Sequence, residues 1–248
     1  MMVSKDFRKV ARDGLKGRWP VAVAAGVIAS MLGGDVTGMG NITNTVTAKL
    51  ETELDQWAAG IAADPSITTI VGGLLGATTV MLVLYGIFCM VVGGAASMGY
   101  AKFNLNLVNN NNPEIKDIFS EFKRFKAGFV MYFLRSLYTF LWMLLLIVPG
   151  IIASYSYAMA PYILMENPDM TASEAIKASK ELMQGNKWRL FCMQFSFIGW
   201  DILCGFTMGI GYLLLNPYRS AATAAFYREI KWEKYKRDFD AQNVDVVL

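Results

Sequence analysis

The sequence predicts an all-α, polytopic membrane protein, and three observations lead to that prediction. The chain is 54% hydrophobic and only 17% charged, whereas a soluble domain usually carries about 25% charged residues. Its apolar residues are clustered at 67–98, 127–164 and 190–218, and each run exceeds the roughly 18 residues that read as a membrane-crossing helix. These runs lack the alternation of apolar and polar residues that barrel strands show, so helices are favoured.

The number of spans follows from the run lengths and from the charges between the runs. A single helix over 127–164 would be nearly twice as long as the hydrocarbon layer is thick, and Pro149-Gly150 supplies a break within it. The stretch from 190 onward fits either one long tilted span or a hairpin that turns near Gly205. Lys and Arg accumulate on cytoplasmic loops. Six spans place every basic segment on that side, whereas five would place the basic C-terminal tail outside.

We therefore predict a single membrane domain over residues 1–248, with about six transmembrane helices in three hairpins and both termini in the cytoplasm. The predicted spans lie at about 19–34, 67–98, 127–148, 150–165, 188–204 and 206–227. Amphipathic interface helices are predicted at 4–18, 113–125 and 170–185, an extracytoplasmic loop at 34–66, and a cytoplasmic tail at 228–248.

Each predicted interface helix precedes a pair of spans, which indicates a weak threefold repeat of one helix plus one hairpin. The alternative is that any membrane protein shows a basic and aromatic junction where a helix enters lipid. The third interface helix has the clearest sequence signals. Thr171 and Glu174 form a capping-box pattern at its start, and Gly185 is a natural stop after it.

Three charged residues fall within predicted spans and form a possible intramembrane polar site: Arg135, Asp201 and Arg219. A charge in the membrane is costly and indicates function by default. In one interpretation Asp201 is the buried partner of Arg135 or of Arg219. In the other, Asp201 lies at the external turn and both arginines reach an interface with their long side chains.

Small residues at four-residue spacing predict close helix packing at two places. The pairs are Gly72 with Gly76, and Gly205 with Gly209.

The sequence shows no pattern typical of an enzyme. It has no His, which is the commonest general base and metal ligand. Its three cysteines, Cys89, Cys192 and Cys204, lie inside apolar runs and do not form a disulfide framework. We therefore expect no catalytic residues, no cofactor and no bound metal. The net charge of +3 gives no argument for nucleic acid.

Several strings resemble an uncharacterised bacterial polytopic membrane family, catalogued as domain of unknown function 975. They lie at residues 11–19, 167–183, 196–200, 209–211, 217–218 and 226–227, and the resemblance extends over nearly the whole chain apart from the 34–66 loop. The stretch from Pro149 to Lys187 also resembles the membrane domain that accompanies some glycerophosphodiester phosphodiesterases. Because their catalytic barrel is absent here, that activity is not implied. The resemblance implies a bacterial plasma-membrane protein and no site residues.

Two functions remain as hypotheses. The first is a non-enzymatic module that binds lipid, another amphiphile or a membrane-protein partner, which includes a second copy of the chain. The second is a small transporter or exporter that uses the polar intramembrane site.

Overall fold

A computed structural model describes residues 2–33, 65–207 and 210–245. The regular elements in these residues are all helical, which confirms the predicted all-α class. The α-helices in the described residues are α1 (Ser4–Leu15), α2 (Trp19–Met31), α3 (Pro65–Val108), α4 (Lys116–Ser120), α5 (Phe125–Leu145), α6 (Ile147–Ser156), α7 (Ala160–Glu166), α8 (Ala172–Leu182), α9 (Lys187–Phe195), α10 (Ile198–Phe206) and α11 (Tyr212–Asp245). A 3-10 helix, Glu121–Arg124, joins α4 to α5. Residues 34–64, most of the predicted extracytoplasmic loop, lie outside the described residues.

The helices form three antiparallel sets. Gly33, just after α2, lies against Gly93 of α3. The chain turns at Leu146, so that α6 and α7 return along α5 and the rings of Tyr138 and Tyr157 lie 6.2 Å apart. Helices α9 and α10 lie along α11, where the rings of Phe197 and Tyr218 are 5.3 Å apart.

A short helix precedes each of these sets: α1, α4 and α8. The order of elements therefore recurs three times. Whether the three units superpose as a true repeat stays a prediction.

Close backbone contacts hold α3 at the centre of the molecule. A β-carbon on Gly94 would overlap the backbone of Gly128 in α5, and one on Gly99 would overlap the backbone of Ile118 in α4. Only glycine permits so close an approach. The predicted glycine pairs lie elsewhere: a β-carbon on Gly76 or on Gly205 would meet no described atom within 4 Å.

The other two members of the predicted glycine pairs are Gly72 and Gly209. Gly72 lies in α3 where its surroundings are not described, and Gly209 lies outside the described residues.

The two ends of the bundle differ in what they bury. At one end, α1 buries Phe7 and Leu15, and the ring of Phe7 lies 5.3 Å from Phe226 of α11. At the other end, which holds the Leu146 turn, large apolar side chains face outward. They include Val80–Leu84 of α3, Phe140–Leu146, and Trp200, Leu203 and Phe206 of α10. Soluble proteins rarely expose so large an apolar surface.

The short helices were predicted to lie in the membrane interface, and the structure shows where their apolar faces go. Phe7, Ala11 and Leu15 of α1, Ile118 of α4, and Ile176 of α8 are all at most 4% exposed. These faces therefore pack against the rest of the same chain.

By length and composition, two helical stretches within the described residues can cross a bilayer: Lys116–Leu145 and Val148–Glu166. A third such stretch is formed by Gly76–Cys89 and Val91–Val108 if the two count as one span, although their axes are bent by 47° relative to each other. The prediction of six spans is therefore wrong.

The remaining predicted spans fail for physical reasons. Helix α2 has 13 residues and is about 20 Å long, short of the ~30 Å hydrocarbon layer. Helices α9 and α10 have nine residues each. Helix α11 runs without a break into the predicted tail and carries charges from Arg219 onward.

The break between the third and fourth predicted spans also lies earlier than expected. Leu146 has an extended backbone, and Pro149 then falls in the first turn of α6. Proline is tolerated there because the N–H that it lacks would have no helical partner. Proline therefore marks the start of the new helix here, and the turn itself precedes it.

The capping box predicted for the third short helix is confirmed. The Thr171 backbone N–H donates to a Glu174 carboxylate oxygen at 2.8 Å, and the Glu174 N–H donates to the Thr171 hydroxyl at 3.3 Å. The hydrogen bond from the Thr171 backbone lowers the pKa of Glu174. Gly185 has φ 76°, the left-handed conformation in which glycine is favoured after a helix.

Replacing Gly94 tests the close contact between α3 and α5. We expect Gly94→Ala to lower the stability of the purified protein in detergent by about 1–3 kcal/mol, because the added methyl must push the two backbones apart. Gly76→Ala is the matched control and should leave stability unchanged or slightly higher. Thermal unfolding followed by circular dichroism measures both. Equal melting temperatures for the two variants would contradict the packing described here.

Replacing Thr171 tests the capping box. Thr171→Ala should cost about 1 kcal/mol, the usual value for losing an N-cap. The pKa of Glu174 is lower in the folded protein than in the unfolded chain. The stability that its carboxylate adds is therefore fully present above the unfolded pKa and is lost as the pH falls through the folded pKa. Thr171→Ala keeps the backbone N–H that donates to Glu174, so the pH test uses Glu174→Gln. Melting temperatures measured at several acidic pH values should converge for the wild type and Glu174→Gln. A constant gap down to the most acid pH would show that the cap does not involve the Glu174 carboxylate.

Candidate functional site

An ion pair between Asp201 and Arg219 joins α10 to α11. An Arg219 terminal nitrogen lies 2.5 Å from a carboxylate oxygen of Asp201, and the two side chains are 11% and 22% exposed, respectively. Asp201 is in the first turn of α10, where the helix dipole favours a negative charge. The Arg219 guanidinium also lies 5.6 Å from the centre of the Phe197 ring. The pair therefore neutralises two charges inside the bundle.

The pair uses only part of the bonding capacity of each side chain. The second carboxylate oxygen of Asp201 and the Nε of Arg219 are both buried and have no hydrogen-bond partner among the described residues. An arginine and a carboxylate often form two parallel hydrogen bonds. This pair forms one, so the site keeps an unused donor and an unused acceptor.

Arg135 lies on α5 and lines the same cavity as Arg219. This cavity measures about 100 Å³. The structure thus brings all three predicted charged residues into one region: Asp201 bonds to Arg219, and Arg135 shares a cavity wall with Arg219.

Sequence reasoning missed the uncharged polar residues around these charges. Gln194 of α9 lines the cavity and accepts a hydrogen bond from the Tyr155 hydroxyl at 2.9 Å. Tyr100 of α3 also lines it and is 5% exposed. A signal existed in the sequence, because Gln194 is a polar residue inside an apolar run. Only the tertiary structure shows that these residues face Arg219.

A second feature is an apolar groove of about 450 Å³ on the surface of the bundle. Arg12 and Trp19, where α1 passes into α2, lie among its walls, and the remaining walls come from α10, the turn after it and α11. The full lining among the described residues is Arg12, Trp19, Trp200, Leu203, Cys204, Thr207, Gly211, Leu214, Leu215 and Tyr218. Arg12 is the only charged residue among them. No sequence signal indicated this groove, because its walls come from two distant parts of the chain.

A third cluster joins α9 to the far end of α11 and to the N-terminal residues. Arg189 is 15% exposed and lies 3.1 Å from Glu229 and 2.8 Å from Glu233. It also donates to the backbone carbonyl of Met2 at 3.3 Å. Burial opposes the charge of Glu233, but the hydrogen bonds with Arg189 and Glu229 and the positive charge of Arg189 together outweigh it and lower the pKa of this carboxyl group. This cluster therefore holds α1 and α11 together at the end of the bundle with the buried core.

Comparison with known protein families gives a match over part of the chain. Residues 143–234 match the model of a family described as a protein of unknown function (DUF975). This segment contains Asp201, Arg219 and most of the groove. Arg135 and the string at 11–19 lie outside it.

No curated protein and no solved structure matches the chain. Residues 143–234 are therefore similar to an uncharacterised domain. The likeness to the membrane domain of glycerophosphodiester phosphodiesterases stays a prediction.

Removing one partner of the Asp201–Arg219 pair should destabilise the bundle strongly. We expect Asp201→Asn to cost about 3–5 kcal/mol, because a guanidinium is then left buried without a counter-charge. The double variant Asp201→Asn with Arg219→Gln should recover part of that loss. Thermal unfolding of the four proteins in detergent gives the coupling energy. A coupling energy near zero would show that the pair does not hold α10 to α11.

Proposed function

We propose that this chain is a non-enzymatic plasma-membrane protein that binds a single anionic phospholipid in the groove between α10 and α11. The observation that carries the proposal is the groove itself, with its apolar walls and one arginine. A phospholipid has the same composition: apolar chains and one charged headgroup. The proposal extends the description of residues 143–234, which names no activity.

The surface around the groove supports contact with lipid. Trp200, Leu203 and Leu214 are each more than half exposed, and they continue into the groove walls. Apolar surface of this extent is stable in a hydrocarbon environment and costly in water. The groove therefore opens onto the part of the molecule that faces acyl chains.

Arg12 supplies the charge that an anionic headgroup requires. It lies in the last turn of α1 and is exposed. The aromatic rings of Trp19 and Tyr218 line the groove with it. Tryptophan and tyrosine are typical of the headgroup level of a bilayer. The Arg12 end of the groove thus fits the interface, while Leu203 and Leu214 fit the hydrocarbon layer.

The proposed orientation places both ends of the chain in the cytoplasm. Met2 and Glu229 share a hydrogen bond, so the N-terminal residues and the far part of α11 lie at the same end of the bundle. Basic residues are abundant in both segments, as expected for cytoplasmic positions.

A small transporter or exporter is the second candidate. The observation that favours it is the polar cavity lined by Arg135 and Arg219. Transport requires that such a cavity open alternately to each side of the membrane. A substrate-dependent growth or uptake defect on Arg135→Gln, in a variant that still reaches the membrane at wild-type level, would support this candidate.

Lipid retention tests the groove. Native mass spectrometry of the protein, purified in mild detergent and supplied with phosphatidylglycerol and phosphatidylcholine, should show one retained lipid with a preference for phosphatidylglycerol. Arg12→Gln should reduce that preference about fivefold, since one basic residue near a lipid headgroup contributes about 1 kcal/mol.

Lys9→Gln is the matched control, because Lys9 is an exposed basic residue of the same helix that does not line the groove. It should leave the preference unchanged. Absence of retained lipid in the wild type, or an equal loss in the two variants, would contradict the proposal.

A further inference from the structure

A second arginine, Arg8, lies one helical turn before Arg12 in α1. Residues four apart in a helix are neighbours on one side of it. The hydroxyl of Tyr218, which lines the groove, donates to the Arg8 backbone carbonyl at 3.2 Å. This hydrogen bond holds Arg8 against the wall of the groove, next to the end that Arg12 lines.

The charges of both arginines act at the same point of the groove wall. Burial raises the pKa of the Tyr218 hydroxyl, and the positive charges of Arg8 and Arg12 both oppose that rise. Arg8 has the larger effect of the two, although Arg12 is the one that lines the groove. The positive field at this end of the groove therefore comes from two guanidinium groups.

Neither of these two guanidinium groups forms an ion pair among the described residues. Arg189 and Arg219, by contrast, each bond to a carboxylate. The acidic residue in the last turn of α1, Asp13, bonds to Lys16 at 2.8 Å. Because one of the two arginines is exposed and the other half-buried, both remain accessible to an anion at the end of the groove.

Two neighbouring arginines distinguish between the two kinds of phosphate that phospholipids carry. A phosphate diester, as in phosphatidylglycerol, has one negative charge and two terminal oxygens. A phosphate monoester has three terminal oxygens and a charge of about −1.5 to −2 at neutral pH. Guanidinium groups bind such oxygens through pairs of parallel hydrogen bonds. A monoester can therefore engage both arginines more fully than a diester can.

We infer that the groove selects a phospholipid whose phosphate is a monoester, the phosphatidic acid class, and that Arg8 provides this selection. The inference rests on the proposed function, since it concerns the headgroup of the lipid held in the groove. Arg12 suits the single negative charge that anionic phospholipids share. Arg8 adds the positive charge that favours the extra charge of a monoester.

Lipid competition followed by native mass spectrometry tests the inference. At about pH 8, the wild type should retain phosphatidic acid about fivefold over phosphatidylglycerol with the same acyl chains, since one additional charge acts near one basic residue. Arg8→Gln should lose most of this preference and keep the preference for phosphatidylglycerol over phosphatidylcholine. The variant should fold normally, because the hydrogen bond to Tyr218 uses the Arg8 backbone.

Lys9→Gln is the matched control and should keep the preference for phosphatidic acid, because Lys9 is exposed and does not line the groove. Inorganic phosphate, added at the same concentration as the lipid, is the control for the source of the phosphate. It should not displace phosphatidic acid, because it has no acyl chains to bury in the groove.

A change of pH tests whether the extra charge of the monoester is recognised. Its second pKa is about 6, so the preference for phosphatidic acid should be present at about pH 8 and lost at about pH 5. The chain has no His, and the Cys204 thiol and Tyr218 hydroxyl of the groove ordinarily titrate above about pH 8. The hydrogen bond from Lys16 lowers the pKa of Asp13, so this carboxylate also stays ionised.

The outcomes separate the inference from the proposed function. Equal retention of phosphatidic acid and phosphatidylglycerol, with Arg12 still required for both, would overturn the inference alone. A preference that survives in Arg8→Gln, that is lost equally in Lys9→Gln, that persists at the lower pH or that inorganic phosphate abolishes would also overturn it. Retention of no lipid at all would overturn both.

Discussion

The contact between Gly94 of α3 and Gly128 of α5 leaves no room for a side chain on either residue. Gly99 makes a similar contact with the backbone of Ile118. Together these contacts bring α3 against α4 and α5 with backbones touching. Most of the second half of α3, from Ala95 to Val108, is buried, with Lys102 and Asn106 half-buried, and it contacts α2, α7 and α11 as well. The positions of Tyr100 and of the cavity that it lines depend on this arrangement.

The buried charges form a second constraint on the bundle. Arg219 and Asp201 tie α10 to α11, and Arg189 ties α9 to Glu229 and Glu233 further along α11. Each pair is largely withdrawn from solvent, and an unpaired partner would be costly. Helix α11 is thus attached to the preceding helices at two separate levels. The groove lies at the level of Arg219, because Leu215 and Tyr218, which precede Arg219 along α11, line it.

The two candidate sites use opposite physical environments within one bundle. The groove is open and apolar, with a single arginine among its described walls. The cavity is small and polar, with two arginines and several donors. An apolar ligand would gain free energy in the groove by burying its surface there.

The sequence by itself determined the helical class, because long apolar runs without alternation allow no other structure in a bilayer. It also determined the start of α8, since the bonds between Thr171 and Glu174 join residues three apart in the chain. The three charged residues could also be identified from the sequence, because a charge inside an apolar run is evident without a structure.

Only the tertiary structure decided which of these residues meet. The number of spans depended on where helices break. The turn after α10 lies next to the predicted turn near Gly205, whereas Leu146 and Ser196 break helices at places that composition does not mark. The glycines that matter are Gly94, Gly99 and Gly128, whose spacing in the chain does not reveal the helix that each one faces. Arg12 and Trp200 are far apart in the sequence and share a groove because α1 folds back along α11. Local patterns report on the next turn of the same helix, whereas a site built from several helices is set by how their surfaces fit together.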